Sequence, residues 1–110
     1  MSLKETYIGN VESVKRADPN AVIIDVTRRA GSVLSPSWEL LSAYKNGLIT
    51  WDGYIKRFVR EMANPASNAE MLRIGKLAKS RDVYLVCFER KGNCHRFLLK
   101  DMIDMMMQGA

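Results

Sequence analysis

Cysteine and histidine are scarce in this chain of 110 residues: Cys87, Cys94 and His95 are the whole supply. A tetrahedral metal site would need a carboxylate as its fourth protein ligand, and adjacent residues at a helix start rarely converge on one ion, so no metal or other cofactor is expected. Neither cysteine is followed by arginine at the spacing of a phosphatase-type phosphate loop, and neither a Gly-x-Gly-x-x-Gly nor a Walker loop occurs. No apolar run approaches the roughly 18 residues of a membrane span. The N-terminus lacks the basic and apolar regions of a secretion signal, so a cytoplasmic location and reduced thiols are expected. Met1-Ser2-Leu3 reads as an expression leader and carries no weight. No internal repeat, low-complexity tract or linker interrupts the chain, so one α/β domain over 1–110 is expected.

What is there is ordinary in amount and informative in arrangement. Hydrophobic residues make up 47% and charged residues 26%, enough for one core without staples. The net charge of +5 points weakly to an anionic partner.

Thr6–Gly9 is a short strand candidate, and Asn10 can cap a helix to about Arg16. Ala21–Thr27 is a continuous apolar run of the kind that parallel strands buried on both faces show. A loop follows, and Ser35-Pro36 then reads as cap and first residue of a helix bearing Trp38, Leu41 and Tyr44 on one face. Thr50 caps a helix with Trp51, Tyr54, Ile55, Phe58 and Met62 at helical spacing, which Asn64-Pro65 ends. Ser67 or Asn68 begins the next, with Met71, Ile74, Leu77 and Ala78 inward. A strand over 82–89, a Lys-Gly-Asn turn and a helix over 93–107 complete the chain. The alternation predicts a small, mostly parallel sheet of about three strands flanked by helices, a Rossmann-like three-layer arrangement.

Ligands of such sheets bind beyond the carboxyl ends of the strands. Those ends carry Asp25-Val26-Thr27-Arg28-Arg29 and Cys87-Phe88-Glu89, the latter followed by a helix that opens with Cys94-His95-Arg96. A helix N-terminus beside an imidazole and a guanidinium lowers a thiol pKa, which makes Cys94 the candidate nucleophile and His95, the sole imidazole, its base. The same residues also fit a half-buried thiol packed under a loop and a histidine on its own helix start. Arg28 and Arg96 are candidates to hold an anion, with Cys87, Glu89 and Asp25 beside them; Arg96 could equally pair with Glu89 or Asp25 and tie the turn down. Asp25, inside an apolar strand, requires a partner such as Arg28 or Arg96. Met102, Met105, Met106 and Met107 offer more apolar surface than one helix face buries, which suggests a homodimer contact.

Leu85-Val86-Cys87-Phe88-Glu89 with Asn93-Cys94-His95-Arg96 resembles the signature of the domain-of-unknown-function 488 family, a Cys-x-Glu strand end and a Cys-His-Arg helix start. The stretches Leu34 to Leu41, Tyr44 to Gly47 and Ile49 to Tyr54 are similar to its shorter, often archaeal members, so that the likeness runs from about Ala21 to Ile103. The resemblance implies a small α/β fold and a site at Cys87, Glu89, Cys94, His95, Arg96 and Arg28, but no activity. Asn93 stands where the family often has histidine, which argues against a mechanism with two imidazoles and against a metal centre. The expectation is therefore a site at the strand ends for a phosphate-bearing small molecule or nucleic-acid end, thiol-based if it is catalytic. Two alternatives stand beside it: a nucleic-acid-binding module using Arg28, Arg29, Lys56, Arg57 and Arg60, and an interaction protein that dimerises through the Met-rich helix.

Overall fold

A computed structural model describes residues 1–109. Three parallel strands, β1 (Leu3–Tyr7), β2 (Val22–Asp25) and β3 (Val83–Cys87), form one sheet in the order β1-β3-β2. Helices α1 (Val11–Ala17), α2 (Trp38–Lys45), α3 (Trp51–Glu61), α4 (Pro65–Leu77) and α5 (His95–Gln108) connect and cover it, which is the expected small α/β fold. No helix among the described residues is long and apolar enough to cross a membrane.

Strand alternation sorts the residues by face. Leu3, Val22, Ile24, Val83 and Leu85 point to one side and join Leu40, Phe58, Met71, Ile74, Leu99 and Ile103 in a single apolar cluster. Cys87 follows Val83 and Leu85 on that same face, which aims its thiol at the helices. The fully flanked strand is β3; β2 runs along an edge, and its Val22, Ile23 and Ile24 are only half-buried.

Several boundaries differ from the sequence reading. The first strand begins at Leu3, because Leu3 pairs with Val83 and is buried. Leu3, set aside as the end of a leader, is thus the first residue of the sheet. Ser37, not Ser35, caps α2 by accepting from the Leu40 N–H at 3.1 Å. Ser35 is occupied elsewhere: its hydroxyl donates to the Thr27 carbonyl at 2.6 Å. Leu40 points inward from this helix, and Trp38 is 59% exposed. Asn64-Pro65 does more than end α3, since Asn64 accepts from the Ser67 N–H and Pro65 opens α4. Three of the four C-terminal methionines, Met102, Met106 and Met107, pack against the core, and Met105 alone stands clear of it.

The site is positioned by one junction. After β2 the ladder continues for one residue, with the Val26 N–H donating to the Val86 carbonyl at 3.0 Å. After β3 the turn over residues 88–93 reverses the chain, using Gly92 at φ 86°, a conformation that side chains rarely tolerate. The chain then enters α5 directly beside the strand ends.

Candidate thiol and imidazole centre

His95, the first residue of α5, is buried, and its ring is fixed from both sides. Its Nε2–H donates to the Val26 carbonyl at 2.5 Å. That bond leaves Nδ1 facing the opposite way, 3.8 Å from Cys87 Sγ and 3.7 Å from Cys94 Sγ. Phe58 packs against the ring at 5.7 Å between centroids. Two thiols and one imidazole nitrogen, all buried and all within 4.8 Å of one another, therefore meet where β2, β3 and α5 come together.

Between the two neighbouring thiols, Cys87 is shifted toward the thiolate and Cys94 toward the thiol. Cys87 is lowered to about 4, because the Cys94 thiol hydrogen-bonds to it and because His95 and the Phe88 N–H favour the anion over the cost of burial. Cys94 is pushed well above the usual thiol range, first by that hydrogen bond to Cys87 and then by burial. The helix-terminal position of Cys94 is outweighed, since a proton shared between two sulfurs must reside on one of them.

This cluster forms the floor of a pocket of about 320 Å³. Tyr44, Trp51 and Tyr54 form one wall, with Trp51 and Tyr54 stacked at 4.8 Å. Burial, together with both neighbouring sulfurs, holds the Tyr54 hydroxyl well above its ordinary pKa, so it stays neutral. Arg28, Arg29 and Lys45 line the mouth, and Glu89 is there as well. Arg28 lies 5.0 Å over the Trp38 ring and has a buried Nε without a hydrogen-bond partner. Neither Arg28 nor Arg29 forms a salt bridge among the described residues.

Five residues singled out in the sequence thus share this pocket: Arg28, Cys87, Glu89, Cys94 and His95. Two do not. Arg96 is buried behind it, where its Nε donates to Glu5 at 2.5 Å and its Nη1 donates to the Glu89 carbonyl. The guanidinium lies 4.5 Å from the Phe97 ring centroid, so Arg96 secures the turn rather than facing a ligand. Asp25 is exposed at the edge of the sheet and accepts from the Thr27 N–H at 2.9 Å, which satisfies it locally without an arginine. Cys94 stands at the cap position in an extended conformation, and this turns its sulfur toward the same point as the His95 Nδ1.

Sequence reasoning missed the pocket wall. Tyr44, Trp51 and Tyr54 lie at core-like helical spacing, and no linear signal separates a pocket wall from a core. The Val26 carbonyl leaves no trace in side-chain chemistry, and Glu5 lies 91 positions from Arg96.

A family profile described as the Active DUF488-N3 subclade matches residues 8–107. No curated protein and no solved structure matches the chain. The chain belongs to the Active DUF488-N3 subclade, in agreement with the resemblance carried by its Cys-His-Arg helix start.

Proposed function

We propose that this member of the subclade is a thiol-dependent protein that takes an anionic, ring-bearing small molecule, with a nucleotide as the model ligand. The observation that carries the reading is the convergence of Cys87, Cys94 and His95 at the floor of a pocket whose mouth is cationic and whose wall is aromatic. Aromatic faces hold a planar base by stacking, and unpaired arginines hold a phosphate by forked hydrogen bonds. Arg28 fits that task because its Nε has no hydrogen-bond partner among the described residues. In a displacement on the ligand, the Cys87 thiolate would bond to the electrophilic atom as that atom's bond to its leaving group breaks, and the Cys94 proton would pass through His95 Nδ1 to the departing group while the Val26 carbonyl keeps the tautomer fixed.

Titration of the metal-free, reduced protein with adenosine and guanosine nucleotides, followed by the fluorescence of Trp38 and Trp51, tests the reading. Saturable quenching that weakens about tenfold or more in Arg28→Ala is expected. Absence of any saturable response to nucleotides would exclude it.

The nucleic-acid alternative retains one supporting fact, that Lys56, Arg57 and Arg60 are all exposed on α3. Their charges are not part of the pocket, and a polynucleotide would have to span both regions.

A further inference from the structure

Beyond the small-molecule reading, we infer that Cys87, Cys94 and His95 bind a thiophilic divalent ion of the Zn²⁺ class, with a fourth position open to the pocket. The geometry of the donors carries this. A tetrahedral ion with Zn–S near 2.3 Å and Zn–N near 2.0–2.1 Å sets sulfur and nitrogen ligands about 3.6 Å apart. The two observed separations, 3.8 Å from Cys87 and 3.7 Å from Cys94 to His95 Nδ1, lie within a few tenths of an ångström of that edge. Two of the three donor–donor edges thus match, and all three donor atoms lie within 4.8 Å of one another.

The surroundings supply a second, independent observation. A metal-bound histidine commonly donates its other ring nitrogen to a carbonyl or carboxylate, which fixes the tautomer and orients the ring. The Val26 carbonyl does this to Nε2 and leaves Nδ1 as the donor toward the sulfurs. Charge balance fits as well. Two thiolates neutralise a divalent ion, so occupancy adds no net positive charge beside Arg28 and Arg29. Three protein ligands from one imidazole and two thiolates leave one position for a water or a pocket ligand, which is the ligand count of catalytic rather than structural zinc. Binding releases the Cys94 proton, Cys87 being ionised already, and occupies both sulfurs, so thiol chemistry belongs to the metal-free protein.

The inference concerns the three donors whichever molecule the pocket takes, and its test is separate from nucleotide binding. Chelator-treated protein, reduced with a phosphine, is titrated with Co²⁺ and then with Zn²⁺. The expected result is one equivalent of Co²⁺ with the intense visible bands of a tetrahedral ion and a near-ultraviolet sulfur-to-cobalt band, displaced by Zn²⁺. Cys87→Ser and Cys94→Ser should each lose about 100-fold or more in Zn²⁺ affinity, beyond the 10–100-fold that outer partners give. Far-UV circular dichroism establishes that each variant is folded. Zn²⁺ should also block iodoacetamide labelling of both thiols in the wild-type protein. Lack of a sulfur-to-cobalt band in the folded wild-type protein overturns the inference, as does undiminished thiol labelling at saturating Zn²⁺; nucleotide binding could persist in either case. If nucleotides fail to bind while the cobalt spectrum forms, the small-molecule reading falls and the metal site stands.

Discussion

A thiol buried among apolar residues ordinarily holds its proton more tightly than one in water. Cys87 departs from that rule because three groups face its sulfur: the Cys94 thiol, the His95 ring and the Phe88 N–H. Lowered to about 4, Cys87 in the metal-free protein should stay ionised from pH 8 down to about pH 5. Its alkylation rate should be nearly flat over that range and fall only near pH 4. Cys94→Ala removes the thiol that does most to favour the Cys87 anion, so the inflection for Cys87 should move upward, as rates against pH would show. Arg96 supports a different prediction. It is buried against Glu5, which is 27% exposed at its side chain, so Arg96→Ala leaves a carboxylate partly desolvated and unpaired. A loss of about 3 kcal/mol is expected, the low end for a broken buried pair because Glu5 is partly wet. Urea denaturation measures it. Unchanged stability would return Arg96 to the candidates for ligand contact.

Elements meet through a few side chains that do two tasks at once. Ser37 caps α2, and its hydroxyl also donates to Glu61 at 2.5 Å, while its N–H donates to the other oxygen of the same carboxylate at 2.8 Å. This ties the start of α2 to the end of α3, the two helices that supply Tyr44, Trp51 and Tyr54 to the pocket wall. Ser37→Ala should cost about 1–2 kcal/mol, the upper part of the range for losing a cap, and weaken ligand binding at the wall. Thermal unfolding and the Trp fluorescence titration separate the two effects. Much of this level was legible in the sequence. Thr50 caps α3 as its position before Trp51 indicated, and the strand–turn–helix from Val83 to Gln108 follows directly from its apolar run and Lys-Gly-Asn turn. What failed were choices between equal local signals. Ser35 and Ser37 both precede an apolar periodic stretch, and only the contact of Ser35 with Thr27 decides between them. Asp25 read as buried because the run around it is apolar, but an edge strand needs no partner for an outward carboxylate.

Across the whole molecule, a sheet of only three strands brings the ends of β2 and β3 together, and α5 starts at that junction. The convergence of the Cys-x-Glu and Cys-His-Arg segments was legible because neighbouring strand ends are where such sheets place ligands. The volume of the pocket and its aromatic wall were not, since they depend on how α2 and α3 pack. That packing turns on Phe58, which is fully buried between the core and the His95 ring. Phe58→Ala should cost about 3–5 kcal/mol and loosen the imidazole. Charge separates the ligand classes at this scale. Three cations, Arg28, Arg29 and Lys45, acting on a small anion should give a log–log salt slope of about −3 at most. A slope of about −4 with single-stranded nucleic acid would draw in Lys56, Arg57 and Arg60 and favour that alternative.

Site-resolved alkylation decides whether two thiols and one imidazole form a working centre at the floor of the pocket. Mass spectrometry would follow iodoacetamide labelling of Cys87 and Cys94 separately in reduced, metal-free protein from pH 4 to pH 9, with and without nucleotide. Fast labelling of Cys87 below pH 7, slow labelling of Cys94 and protection of both by nucleotide are predicted. Two thiols that label alike, only above about pH 8, and regardless of nucleotide would contradict the account.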